Sequence, residues 1–128
     1  MQPKKIWANL GVKDVEKTRA FYTALGFTSN EGHHKTAELA SFKIGEAGFV
    51  VHFFDREKLK EAINAEPVTA NEVIFTLWAD SVEEADDWAE EVRRAGGILF
   101  SEPEAFGNDY YGFGFADPDG HKWNVFHM

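Results

Sequence analysis

One arrangement occurs twice along this chain and constrains its fold more than any single motif. A strand leads into a helix opened by an acid, a glycine stops the helix, and three strands follow. Asp14 to Leu25-Gly26-Phe27 in the first half answers Asp80 to Ala95-Gly96-Gly97-Ile98 in the second. Self-similarity of this kind means two copies of one supersecondary unit, each too small to bury both faces of its own sheet. The reading is an α+β chain of two paired βαβββ modules, residues 1–66 and 67–128, packed together as one domain.

Local patterning supports each element. Lys5 to Val12 reads as a strand, and Asp14 caps a helix to about Leu25 with Val15, Phe21, Tyr22 and Leu25 on one side. Phe27 to Asn30 is a short strand, and Ser29 to Lys35 a polar loop. Ala37 to Ile44 and Phe49 to Asp55 are strands, and Arg56 to Ala65 is a short helix ending before Pro67. Glu72 to Ala79 is a strand. Ser81 and Glu84 have capping-box spacing, and Val82, Ala85, Trp88, Ala89, Val92 and Ala95 recur at helical intervals. Ile98 to Ser101, Tyr110 to Phe115 and Lys122 to Phe126 are the remaining strands, and Glu102 to Tyr111 is expected as a long aromatic loop.

Asp117-Pro118-Asp119-Gly120 carries turn chemistry. The first Asp bonds forward to the backbone, Pro presets φ, and Gly tolerates positive φ. Asp117 and Asp119 are therefore structural, and His121 is a strand-start residue bonded to a loop carbonyl. Beyond the turn, Lys122, Asn124 and Phe126 share one strand face, while Trp123, Val125 and His127 share the other.

Composition removes whole classes of function. With no cysteine there is no disulfide, thiolate ligand or thiol nucleophile, which fits a cytoplasmic location. MQPKKIWANLGV holds no apolar stretch typical of a signal peptide, and no run reaches membrane-spanning length. A net charge of −9 would repel phosphate backbones, so nucleic acid is not an expected partner. Gly112-Phe113-Gly114 lacks the rest of a dinucleotide fingerprint, and there is no nucleophile elbow, P-loop or zinc-helix motif.

Asn9-Leu-Gly-Val-Lys-Asp14, Phe21-Tyr22 and Leu25-Gly26-Phe27 resemble the first module of the vicinal oxygen chelate superfamily. That superfamily includes glyoxalase I, bleomycin- and fosfomycin-resistance proteins and extradiol dioxygenases. The Ala95-Gly-Gly97 stop and the Asp117-to-His121 hairpin resemble its second module. The likeness covers nearly the whole chain and is strongest to small proteins labelled predicted lactoylglutathione lyases. It implies half-barrel modules around a cavity, a homodimer, and, in the metal enzymes, four ligand positions.

Here those positions fall at Trp7, His52, Ile74 and Asn124, or at Asn9 and Thr76 with the strand offset shifted. Only His52 is a good ligand for a transition metal, and a catalytic site needs about three. The expectation is therefore no metal and no cofactor, with a divalent ion held by some other set left open. The implied cavity wall comprises Trp7, Asn9, His52, Phe54, Ile74, Thr76, Trp78, Asn124 and Phe126, with Tyr110 and Tyr111 at its mouth. Aromatic rings with a few polar groups are how small-molecule pockets are built.

Three readings follow. The first is a metal-free protein that binds or sequesters a small ligand, with the acidic surface steering cations toward it. The second is a lyase or other enzyme of the same scaffold using His52 as base. The third is an interaction protein with a packed interior. His33 and His34 are expected as solvated loop residues.

Overall fold

The computed structural model describes residues 1–33, 35–68 and 71–128. It consists of two units, Met1–Val68 and Thr69–Met128. In the first, β1 (Trp7–Val12), α1 (Val15–Ala24), β2 (Thr28–Ser29), β3 (Leu39–Ile44) and β4 (Phe49–Asp55) form a βαβββ module followed by α2 (Arg56–Ile63). In the second, β5 (Ile74–Trp78), α3 (Val82–Ala95), β6 (Ile98–Phe106), β7 (Tyr110–Ala116) and β8 (Lys122–His127) repeat the module. The sheet orders match, β1-β4-β3-β2 and β5-β8-β7-β6. In each module the first strand runs parallel to the last, and the other pairs are antiparallel.

The helix starts follow from their caps. Asp14 accepts from the Lys17 amide at 3.0 Å, and Ser81 Oγ accepts from the Glu84 amide at 3.0 Å. Glu84 reaches back to the Asp80 amide at 2.6 Å, one residue earlier than an ideal capping box. Gly96 ends α3 at φ 92°, a conformation only glycine adopts cheaply.

Each sheet buries the face that its helix covers. In the first module Ala40, Phe42, Val51 and Phe53 are fully buried, and Tyr22 from α1 stacks on Phe53 with ring centroids 4.4 Å apart. In the second, Phe113, Phe115, Trp123 and Val125 face Ala85, Ala89 and Val92 of α3. Phe115 and Trp123 lie nearly parallel, 6.1 Å apart.

The structure differs from the sequence reading in three places. The first is Glu102 to Tyr111. Most of it is strand, with β6 continuing to Phe106 and only a short turn before Tyr110. The pairing slips between Leu99 and Ser101 and again between Ser101 and Glu104. That irregularity on an edge strand accommodates Pro103, which has no amide to give to a ladder. The second is His121. Its Nδ1 lies 2.8 Å from Asp117 Oδ2, a carboxylate and not a carbonyl, while Asp117 Oδ1 accepts from the Asp119 and His121 amides. The turn itself forms as its residues dictate.

The third is Arg19, a buried charge within α1 on which the sequence reading was silent. Its guanidinium bonds both Glu31 oxygens at 3.0 and 2.7 Å, the carbonyls of Thr36 and Leu39 at 2.9 Å each, and Glu16. These bonds tie the segment before β3 to the helix. Removing one partner of a buried pair strands the other, at about 3–5 kcal/mol. Arg19→Ala should therefore lower urea-unfolding stability by about 3–5 kcal/mol. The Arg19→Met, Glu31→Leu double variant should recover part of that loss, and no recovery would refute the stranded-charge account.

Candidate functional site: two open sheet faces

Strand alternation sends to one side whatever the helix side does not take. In the first sheet that open face carries Trp7 and Asn9 from β1 and His52 and Phe54 from β4. Asn9 stands directly opposite His52. Trp7, the first residue of the edge strand β1, is 53% exposed, and its ring is 6.4 Å from the His52 ring. Phe54 approaches His52 from the other side at 5.8 Å, edge to face. The His52 imidazole thus sits half-buried between two aromatic rings, and among the described residues it has no hydrogen-bond partner. Burial pushes its pKa below the ordinary value, so the neutral ring is favoured.

The second sheet repeats this plan with different residues. Thr76 stands opposite Asn124, as Asn9 stands opposite His52, and Trp78 is opposite Phe126. Trp78 is also 53% exposed, and its indole N–H donates to Asp80 Oδ1 at 3.2 Å. That bond holds the ring as a fixed platform. Ile74 is exposed at the same face. Tyr110 joins it, stacked on Phe106 at 5.5 Å and 6.2 Å from Phe126.

Tyr111 does not belong to this face. Alternation turns it to the helix side, where its hydroxyl donates to Asp86 Oδ1 at 2.5 Å and its pKa is pushed up to about 12, chiefly by that hydrogen bond. Its expected place beside Tyr110 is therefore corrected. Adjacent residues on a strand cannot line one surface.

Two residues on this face, Phe106 and Phe100, escaped the sequence reading. Phe106, paired with Tyr110, became visible only once β6 was seen to continue. Phe100 lies over Gly114, where a Cβ would come within 2.4 Å of its ring, and Phe126 crowds Gly112. The Gly112-Phe113-Gly114 pattern strips side chains from one side of β7 so that aromatic rings can lie against its backbone. Lys122, which shares its strand face with Asn124 and Phe126, is half-buried beside them. Of the His33-His34 pair, His33 is exposed and His34 lies outside the described residues.

A metal does not fit the residues on these faces. Of Trp7, His52, Ile74 and Asn124, and of Asn9 and Thr76 beside them, only His52 offers a strong donor. Among the described residues, no three His, Cys, Asp or Glu side chains form a group able to hold an ion. No helix among them is long and apolar enough to cross a membrane.

Residues 6–125 match the family model of the glyoxalase/bleomycin resistance protein/dioxygenase superfamily. The chain belongs to this superfamily. Solved structures agree on the glyoxalase-type fold. A hypothetical protein from S. aureus is 30% identical, with 100% of this chain and 96% of that chain covered and a TM-score of 0.88. A glyoxalase-related enzyme from Fulvimarina pelagi is 22% identical, with 98% and 89% covered and a TM-score of 0.83. A lactoylglutathione lyase from Agrobacterium tumefaciens is 21% identical, with 98% and 95% covered and a TM-score of 0.72. No curated protein matches the chain.

The state of His52 can be tested directly. Its folded pKa lies below the unfolded value near 6.5, so protonation favours the unfolded chain. The stability linked to His52 is complete above about pH 6.5 and is lost as pH falls through the folded pKa. An NMR titration should give His52 a midpoint below 6.5. His52→Gln should flatten the acid limb of stability against pH, and an unchanged limb would contradict this environment.

Proposed function

We propose that the protein binds a small, flat organic ligand without a metal, its rings forming the platform and its amide and hydroxyl groups orienting the guest. One observation carries this reading. Both sheets leave open a face with a half-exposed Trp, a neighbouring Phe and a central pair of hydrogen-bonding residues. Unsupported tryptophans of this exposure have no role in the core, which lies on the opposite faces. Stacking on them is worth about 0.5–1.5 kcal/mol per ring pair beyond the area removed from water. The homodimer belongs to the same proposal, because a second copy would shield these apolar surfaces from water. Light scattering in solution reads that mass directly. So does a cytoplasmic role in sequestering a small compound, for which the absence of cysteine is the supporting feature.

A second reading is favoured by His52 alone. A largely neutral imidazole with no intramolecular hydrogen bond is a competent proton acceptor near neutral pH. It would make the protein a metal-independent lyase or isomerase of the superfamily.

Chelator-treated protein separates these readings from a metal enzyme. Ni²⁺, Co²⁺, Mn²⁺, Zn²⁺ or Fe²⁺ should each leave the thermal midpoint unchanged. A specific ion would add about 2.7 kcal/mol at a hundredfold excess over its dissociation constant. Aromatic fragments should shift the indole N–H resonances of Trp7 or Trp78 and leave buried Trp123 unmoved. Metal stabilisation present in the wild type and absent from His52→Ala would overturn the proposal.

A further inference from the structure

Lys122 indicates what kind of guest the second face takes. This step rests on the binding reading above and adds a charge to it. The residue lies on β8 between Ile74 of β5 and Ala116 of β7, two positions before Asn124 on the same face. It is half-buried, its Nζ sits 5.7 Å from the centre of the Phe100 ring, and it donates to the Gly120 carbonyl at 3.1 Å. The ammonium has three protons, and that bond uses one.

The chain has 22 acidic and 13 basic side chains, so a lysine has carboxylates in excess to choose from. Lys58 reaches two, Glu38 and Glu61, and Lys60 reaches Glu66. Among the described residues Lys122 forms no ion pair within 4.0 Å. It is a partly desolvated cation held over an aromatic face in an acidic protein. Glu104 stands opposite Gly112, four residues along β7 from the partner of Lys122. At about 3.3 Å per residue that separation is roughly 13 Å, beyond the ~8 Å screening length of physiological salt. Glu104 is therefore screened from Lys122, and of the nearer acids in the Asp117–Gly120 turn Asp117 is already engaged by His121 and two backbone amides, while neither Asp117 nor Asp119 forms an ion pair with the ammonium.

We propose that this face selects an aromatic carboxylate. The anion lies against Lys122, Asn124 and Thr76 bond its oxygens, and the ring lies on Trp78 and Phe126. Asn124 is roughly 7 Å from Lys122 along the strand and Phe126 roughly 13 Å, which fits an aryl ring carried on a short acyl chain. The guest's charge is thus opposite to what the protein's net charge alone suggests.

Three probes of one shape and different charge test this: phenylbutyrate, phenylbutyramide and phenylbutylamine, each titrated by calorimetry and by the Trp78 indole resonance. The carboxylate should bind roughly tenfold or more tightly than the amide, the scale of one charge-assisted hydrogen bond, with the amine weakest. Lys122→Met keeps the stem over Phe100 and should bring the carboxylate to the amide's affinity. Lys122→Arg should retain the preference, and the thermal midpoints of both variants check that they fold. Equal binding of all three probes, tightest binding of the amine, or a carboxylate preference that survives in Lys122→Met would overturn the proposal and leave the binding face intact. Failure of all three to bind at millimolar concentration would overturn both.

Discussion

Parallel pairing of the first and last strands of each module is the constraint from which the site follows. A parallel pair cannot close through a hairpin and needs a long crossover. Here a helix and two antiparallel strands fill that interval. The result sets residues more than forty positions apart side by side, Asn9 against His52 and Thr76 against Asn124. The crossover also decides which face is free. With α1 or α3 packed on one side, strand period leaves every second side chain on the other. Fold and site are therefore consequences of one topology, made twice.

Core and candidate site consequently sit on opposite faces of the same strands. Val51 and Phe53 are fully buried, while His52 between them is not. Trp123 and Val125 bracket Asn124 in the same way. A substitution on the open face costs little packing, so its chemistry can change while the fold persists. A chain can therefore retain the superfamily architecture while the residues on its open faces change.

Much of this was legible in the sequence because its signals are local. Caps at Asp14 and Ser81, the glycine stops and the Asp117 turn act over four residues or fewer. Alternation set Asn124 and Phe126 on one strand face, whereas grouping Trp7, Asn9, His52, Phe54, Thr76, Trp78, Asn124 and Phe126 as a cavity wall came from the superfamily resemblance. The failures are non-local. Nothing near Arg19 in the sequence marks it as buried, because its partners, Glu31 and the carbonyls of Thr36 and Leu39, lie 12 to 20 residues away. Pro103 and the glycines hid the continuation of β6, because a bulged edge strand tolerates residues that a regular strand rejects. Tyr111 was misplaced by adjacency, although the alternation rule alone would have separated it from Tyr110.

The charge of the face shows why summed quantities mislead about a site. Net charge governs encounter over distances where many groups act together. Contact selectivity is set within a few ångströms, by the groups a guest touches and not by the sum over the chain. The acids of α3 illustrate the point. They line a helix packed on the covered face of the second sheet, with Asp86 engaged by Tyr111, whereas Lys122 stands on the open face. The sheet thus stands between Lys122 and the acids of the first turns of α3. A guest steered by the one and a guest held by the other need not be the same molecule.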